Sequence, residues 1–135
     1  MKPATLFAIT LWLFALASGA RAELTIEITQ GVDNPTPIAV VPFVWQGGGA
    51  SPEDIAAVVD GDLNRSGQFA PVRRADMLGL PSTEAEIYYR DWRAINTEYV
   101  LIGRVSQDAQ MRIEFELFDV LRQTRVHTGV VTGPP

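Results

Sequence analysis

Apolar and polar residues alternate along residues 23–29, ELTIEIT, where Leu24, Ile26 and Ile28 face one side of an extended chain. A period of two is typical of a β-strand with one buried face. The following loop, GVDNPTP, contains Pro35 and Pro37, which remove backbone donors and restrict φ. We therefore predict a strand at residues 23–30, set apart by a stiff loop. The pattern leaves open whether this strand is a permanent sheet edge or leaves to pair with another protein.

Five further stretches have the composition of strands. Residues 38–43 and 98–106 are apolar without alternation, which indicates strands that are buried on both faces. Residues 68–74 contain Pro71 and are expected at a sheet edge. Residues 111–121 and 124–132 complete the set, with turns at 108–109 and 121–123. The alternation in residues 111–121 directs four side chains inward: Met111, Ile113, Phe115 and Leu117.

A first helix is predicted from Ser51 to Gly67. Ser51 has the character of an N-cap, Pro52 of the first helical residue and Asp54 of a capping acid, while Gly67 provides a left-handed C-cap. The internal Gly61 is expected to mark a close approach to the sheet. The predicted buried stripe consists of Ile55, Val58, Val59 and Leu63.

A second helix is predicted at residues 86–96, with Ile87, Trp92 and Ile95 inward. The order of elements predicts an α/β fold, a mixed sheet of about five to six strands with two helices packed on it. Parallel pairing is expected at the centre, followed by an antiparallel meander. Residues 35–135 would form this domain. Because a Gly-Pro-Pro end follows the last strand where a third helix would normally cover the sheet, we expect the domain to be truncated there.

The first 22 residues have the pattern of a secretory signal. Lys2 precedes an apolar run at residues 6–17, and Ala20-Arg21-Ala22 matches a cleavage site. The run is shorter than the roughly 20 residues of a membrane-spanning helix, although an uncleaved anchor is the alternative. Cleavage after Ala22 would release an exported chain without direct membrane insertion. Because the signal contains two of 11 basic and none of 16 acidic residues, the released chain would be more acidic than the full sequence, which argues against nucleic acid as a partner.

The sequence offers little for catalysis or for binding metals and cofactors. His127 is the single histidine and cysteine is absent, so we expect no metal site. Glu114 and Glu116 lie on the same face of one strand. We expect this face to be exposed to solvent, which accounts for two glutamates more simply than acid–base catalysis does. The loop Gly47–Gly49 before a helix resembles a phosphate cradle, but acidic residues at the helix start would repel phosphate. A small-ligand site at this loop is the alternative to a protein-binding role, and we expect neither enzyme activity nor a cofactor.

Several stretches resemble the amino-terminal domain family of TolB proteins. They are PIAVVPF (37–43), SPEDIAAVVDGDLNRSGQFAPV (51–72), a tyrosine-rich segment with Trp92, TEYVLIGRV (97–105) and FELFDV (115–120). Their order, more than any single motif, is specific, and it covers essentially all of the chain after residue 22.

The resemblance implies a non-enzymatic role in the periplasmic Tol-Pal envelope system, in outer-membrane integrity and in envelope constriction during division. In the family, a β-propeller follows the domain and binds Pal and colicins; we predict no propeller within these residues, so we do not expect those contacts to transfer to them.

The resemblance also implies a mobile amino-terminal segment, which either docks on its own protein or binds the C-terminal domain of TolA by strand addition. The matching TolA-binding residues are Glu23, Leu24, Thr25, Ile26, Glu27, Ile28, Thr29, Gln30, Gly31, Val32, Asp33 and Asn34. The pattern alone favours a permanent edge strand of the domain's own sheet, whereas the resemblance favours a segment that can leave and bind a partner.

Overall fold

The computed structural model of the chain describes residues 33–134. The predicted strand at residues 23–30 therefore lies outside the described residues. No helix within the described range is long and apolar enough to cross a membrane. The strands are β1 (Thr36–Val40), β2 (Val44–Trp45), β3 (Phe69–Pro71), β4 (Tyr99–Gln107), β5 (Met111–Asp119) and β6 (Thr124–Gly133), and the α-helices are α1 (Ile55–Ser66) and α2 (Tyr89–Ala94).

The six strands form one mixed sheet in the order β3–β1–β4–β5–β6, with β2 paired to β4. β1 is parallel to both β3 and β4, while β4, β5 and β6 form an antiparallel meander. The predicted fold class, the parallel centre and the edge position of the strand with Pro71 are confirmed. Pro42 follows the last pairing residues closely, since Val41 N still donates to Leu101 O at 3.0 Å.

The two helices lie on opposite faces of the sheet, because alternate side chains of β1 and β4 contact different helices. On the α2 face, a buried cluster contains Ala39, Val41, Ile87, Trp92, Val100, Ile102, Phe118 and Val120. On the α1 face, Ile38 and Val40 are buried, and Val59 and Leu63 of α1 line a groove together with Ile38.

The first helix begins later than the sequence predicts. Asp54, not Ser51, is the N-cap, and its carboxylate accepts a hydrogen bond from Ala57 N at 3.0 Å. The Ser51 hydroxyl instead donates to Glu53 O at 2.9 Å, so Ser51 and Pro52 belong to the preceding loop. The expected C-cap is confirmed, because Gly67 has φ 71°.

The predicted buried stripe of α1 is only partly right. Ile55, Val59 and Leu63 are half-buried, Val58 is exposed, and the fully buried residue is Ala56. The expected contact of Gly61 with the sheet is wrong, since a Cβ there would meet only the Arg65 guanidinium of the same helix, at 3.3 Å.

Two further expectations need correction. The second helix is confined to α2, and a separate 3₁₀ turn at Glu84–Glu86 precedes it, although Ile87 and Trp92 are buried as predicted. In β5 the residues expected inward are only half-buried, while Phe118, on the opposite face, is completely buried. The alternation in β5 is real, but the deepest part of the core lies on the face that the pattern marked as outward.

Candidate functional site

The predicted TolA-binding residues lie almost entirely outside the described part of the chain. Of residues 23–34, only Asp33 and Asn34 are described, and both are exposed. They lead through the half-buried Pro35 into β1. The structure thus fixes the point at which the predicted binding segment joins the domain, and the surfaces around that point become the candidate site.

An apolar groove of about 630 Å³ opens on the α1 face at this point. We call it the apolar groove. Thr36, the first residue of β1, is part of its wall, so the groove begins three residues after Asp33. Its other lining residues are Ile38, Val59, Leu63, Phe69, Tyr99, Leu101, Phe115, Leu117, Val126 and His127.

The strand register shows how the groove crosses the sheet. Leu101 of β4 lies opposite Leu117 of β5, which in turn lies opposite His127 of β6. Since paired residues project from the same face, the groove extends from the start of β1 to the edge strand β6. The groove is therefore an apolar path between the start of β1 and the edge strand β6.

His127 is part of this apolar path. Its ring is 5.9 Å from the Phe115 ring, with an interplanar angle of 40°. Gly129 leaves room for the same phenylalanine, because a Cβ at that position would be 2.4 Å from the Phe115 ring. His127 therefore packs with the Phe115 ring as part of the groove wall, and these contacts do not place it in a catalytic group.

The α2 face carries a network of charges instead. Arg104 Nη1 donates to Ser82 O at 2.8 Å and to Glu116 Oε2 at 3.2 Å, and Arg125 Nη1 donates to Glu116 Oε1 at 3.0 Å. A more distant contact joins Arg104 Nη2 to Glu114 Oε2 at 3.5 Å. Glu116 is therefore held between two arginines.

Glu114 belongs to the same network. Arg112 Nε donates to Glu114 Oε1 at 3.0 Å. This hydrogen bond, with a smaller contribution from Arg104, lowers the pKa of the Glu114 carboxyl below its ordinary value. Both carboxylates pair with arginines, Glu114 with Arg112 and Glu116 with Arg104 and Arg125, so the arrangement is a salt-bridge network rather than the acid–base pair that one strand face can offer.

The glycine loop and helix start do not favour an anion. The Gly47 Cα lies against the Trp45 indole, whose Nε1 contacts Gly48 O at 3.4 Å. The Asp54 carboxylate occupies the helix start and pairs with Arg74, at 2.7 Å between Nη1 and Oδ2. The Arg74 hydrogen bond lowers the Asp54 pKa, so this end of the helix is already neutralised by the protein's own carboxylate.

Across residues 33–134, no group of three or more histidine, cysteine, aspartate or glutamate side chains could hold a metal ion. Sequence reasoning did not find the apolar groove, which joins residues from five strands and one helix. It also missed the central position of Arg104, although a lone arginine within the apolar run of β4 was an available signal.

Comparison with known proteins assigns the chain to a family. Residues 24–126 match a family model described as TolB amino-terminal domain. A Tol-Pal system protein TolB from a Marinomonas species is 53% identical over 111 residues, covering 81% of this chain and 26% of that protein. Another, from Pseudomonas syringae pathovar tomato, is 41% identical over 121 residues, covering 89% and 28%.

A solved structure agrees with these relatives. The crystal structure of TolB from Acinetobacter baumannii aligns with a TM-score of 0.62 and 28% identity, covering 80% of this chain and 25% of that one. The chain spans about a quarter of the length of the curated relatives it matches. The fold, the matched residues and the relatives agree, and the chain belongs to the TolB amino-terminal domain family.

Proposed function

We propose that this chain is a non-enzymatic component of the Tol-Pal envelope system that acts in the periplasm and binds the C-terminal domain of TolA through residues 23–34. The observation that carries the proposal is the family match, which begins at residue 24 and so includes nearly all of this segment. The curated relatives are named Tol-Pal system proteins. The role would serve outer-membrane integrity and envelope constriction during division.

The residues of the segment support strand addition as the binding mode. Three apolar side chains alternate with glutamates and threonines, so the backbone could pair with a sheet edge of TolA while Leu24, Ile26 and Ile28 enter pockets. The exposed Asp33 and Asn34 leave the domain at its surface, which is where a segment must emerge to reach a partner. In this proposal, the domain presents residues 23–34 to TolA as a binding strand.

Calorimetric titration with the TolA C-terminal domain tests the proposal. The chain 23–135 should bind, whereas a variant with Leu24, Ile26 and Ile28 each changed to Asp should not. A matched control changes Thr25 and Thr29 to Asn on the other side of the strand and should still bind. Circular dichroism of all three chains checks folding, and equal binding by the parent and the triple Asp variant would refute the assignment of the site.

A further inference from the structure

The strand β6 presents a free sheet edge. Within residues 33–134 it pairs only with β5, although it has ten residues and contains no proline. The opposite edge, β3, has only three residues and includes Pro71. Proteins usually protect long edges with lysine, proline, inward charges or bulges, because an unprotected edge accepts a further strand. β6 has one such device, a register shift that leaves Val126 unpaired, and beyond it residues 127–133 pair regularly with β5.

The hydrogen-bond pattern of the sheet indicates which backbone groups of β6 are free. Val120 N donates to Glu98 O at 2.9 Å, so these residues form a hydrogen-bonded pair next to the ends of β4 and β5. Such pairs alternate along an antiparallel ladder. The even-numbered residues of β5 therefore bond to β4, and the odd-numbered ones bond to β6. It follows from the β5–β6 register that the backbone groups of Thr128, Val130 and Thr132 point to the free edge.

These free groups are complementary to themselves under a twofold axis. If a second β6 runs antiparallel to the first with Val130 opposite its own copy, Thr128 lies opposite Thr132 of that copy. All three residues then form hydrogen-bonded pairs, so every outward N–H and C=O group of residues 127–133 gains a partner. A twofold dimer uses the same patch on both copies, which is the commonest arrangement among homo-oligomers.

We propose that residues 127–133 of β6 bind the same residues of a second copy of this chain as an antiparallel strand, centred on Val130. The two sheets then form one continuous sheet. Because the twofold axis is perpendicular to that sheet, the apolar grooves of both copies lie on the same face of it. This pairing does not depend on the proposed function.

Side chains on the groove face fit this register. Val131 is 53% exposed and projects on the groove face, because it pairs with Ile113, two residues from Phe115 in β5. In the dimer, Val131 lies opposite Gly129 of the second copy. Gly129 has no side chain, and the half-buried Phe115 ring covers it. Each copy of Val131 therefore packs beside an aromatic ring of the other copy, which is a stabilising contact between neighbouring strands.

Side chains on the other face also favour a second copy. Val130 is 52% exposed and would contact its own copy, while Thr128 would lie beside Thr132. Cross-strand pairs of threonines and of β-branched residues stabilise a sheet.

Like charges do not oppose the pairing. β6 contains no acidic residue, and its one arginine, Arg125, lies five residues from Val130. Ten residue steps would separate the two copies of Arg125, or about 34 Å at ~3.4 Å each. This separation is much longer than the screening length of about 8 Å at physiological salt, so repulsion between the two arginines is negligible.

Analytical ultracentrifugation of the chain 23–135 over a range of concentrations tests the dimer. Val130→Pro removes the central outward donor, and the monomer should stay folded because this N–H makes no bond to β5. The matched Val130→Thr keeps the donor and the β-branched shape. We expect the parent and Val130→Thr to reach twice the monomer mass as concentration rises, and Val130→Pro to dimerise at least about tenfold more weakly.

Circular dichroism checks that the three chains are folded. A parent that stays monomeric up to about 1 mM would overturn the proposal, since pairing weaker than this is no stable association. Equal dimerisation of the three chains would overturn it too, because the central donor of β6 would then play no part.

Amide hydrogen exchange at low and high protein concentration locates the contact. The amides of Thr128, Val130 and Thr132 should exchange about tenfold or more slowly in the dimer than in the monomer, since they gain hydrogen bonds only there. The amides of Gly129 and Val131 bond to β5 in both states and should change much less. A dimer in which the first three amides do not slow would have its contact elsewhere on the chain and would overturn the inference.

Single cysteines test the register, because the chain has no cysteine of its own. The Cα atoms of a hydrogen-bonded pair are about 5.5 Å apart, which is within reach of a disulfide. Val130→Cys should therefore cross-link to its own copy under mild oxidation. Thr132→Cys is the control, since its two copies would be about 14 Å apart and too distant for a disulfide. Equal or faster cross-linking of Thr132→Cys, or none in either variant, would overturn this register.

Discussion

Replacing Phe118 by alanine should destabilise the domain far more than the same change at Phe115. Both are phenylalanines of β5, on opposite faces. Phe118 has no exposed surface and lies in the cluster beneath α2. Phe115 is half-buried and lines the apolar groove. The pair therefore tests which face of β5 carries the core.

The magnitudes follow from burial. Phe118→Ala should cost about 3–5 kcal/mol, since a closed cavity replaces a fully buried ring. Phe115→Ala should cost about 1–2 kcal/mol, because part of that ring already contacts water and the groove is open. A domain of this size has about 5–15 kcal/mol of total stability, so the first loss is a large fraction of it.

Urea unfolding followed by circular dichroism measures both costs in the chain 23–135. The transition midpoint of Phe118→Ala should fall much further than that of Phe115→Ala, with similar m values. In thermal unfolding each kcal/mol corresponds to about 4–8 °C for a domain of this size. Equal costs, or a larger cost at Phe115, would refute the assignment of the core to the α2 face.

Two further predictions concern the helix cap and a close contact of the sheet. Asp54→Ala should cost about 1 kcal/mol through loss of the N-cap, and Asp54→Asn less, since the amide oxygen still caps the helix. Arg74 lowers the pKa of Asp54 in the folded state, so the stabilisation from this charge is present above the ordinary value of 3.8 and is lost as pH falls through the lowered pKa. Urea titrations at pH 6 and pH 2.5 compare the free energy of unfolding of wild type and Asp54→Asn. The difference between the two should disappear at the lower pH, and a constant difference would contradict this account. Gly103→Ala should cost about 1–3 kcal/mol, because the added Cβ would be 2.8 Å from the Phe43 ring. Gly48→Ala is its control, since no atom lies within 4 Å of a Cβ there, and equal thermal midpoints of the two variants would contradict the predicted clash.

Much of the fold could be predicted from local patterns. The continuous apolar runs indicated β1 and β4 as buried central strands, since both faces of each are covered. Pro71 indicated an edge, because proline lacks the donor that an inner strand needs. Gly67 indicated the end of α1, since it adopts a left-handed conformation there at no steric cost. Each of these features depends on residues close together in the chain.

The candidate site could be predicted only in part. The alternation at residues 23–29 predicts a strand but does not indicate its partner, and these residues lie outside the described part of the chain. The family match includes residues 24–34 without describing their contacts. The apolar groove could not be predicted, because it consists of residues brought together from β1, α1, β3, β4, β5 and β6.

Local patterns in the sequence were enough to predict β1, β3, β4, β5 and β6, the parallel centre and the family of this protein, because each of these depends on residues close together in the chain. The short β2 (Val44–Trp45) was not predicted. Tertiary structure decided that Phe118 rather than Phe115 is fully buried, since that depends on which face α2 covers. It also decided that α1 begins after Asp54, where Arg74, twenty residues away, pairs with the capping carboxylate. These outcomes depend on contacts between distant residues, and no local pattern encodes which distant residues will meet.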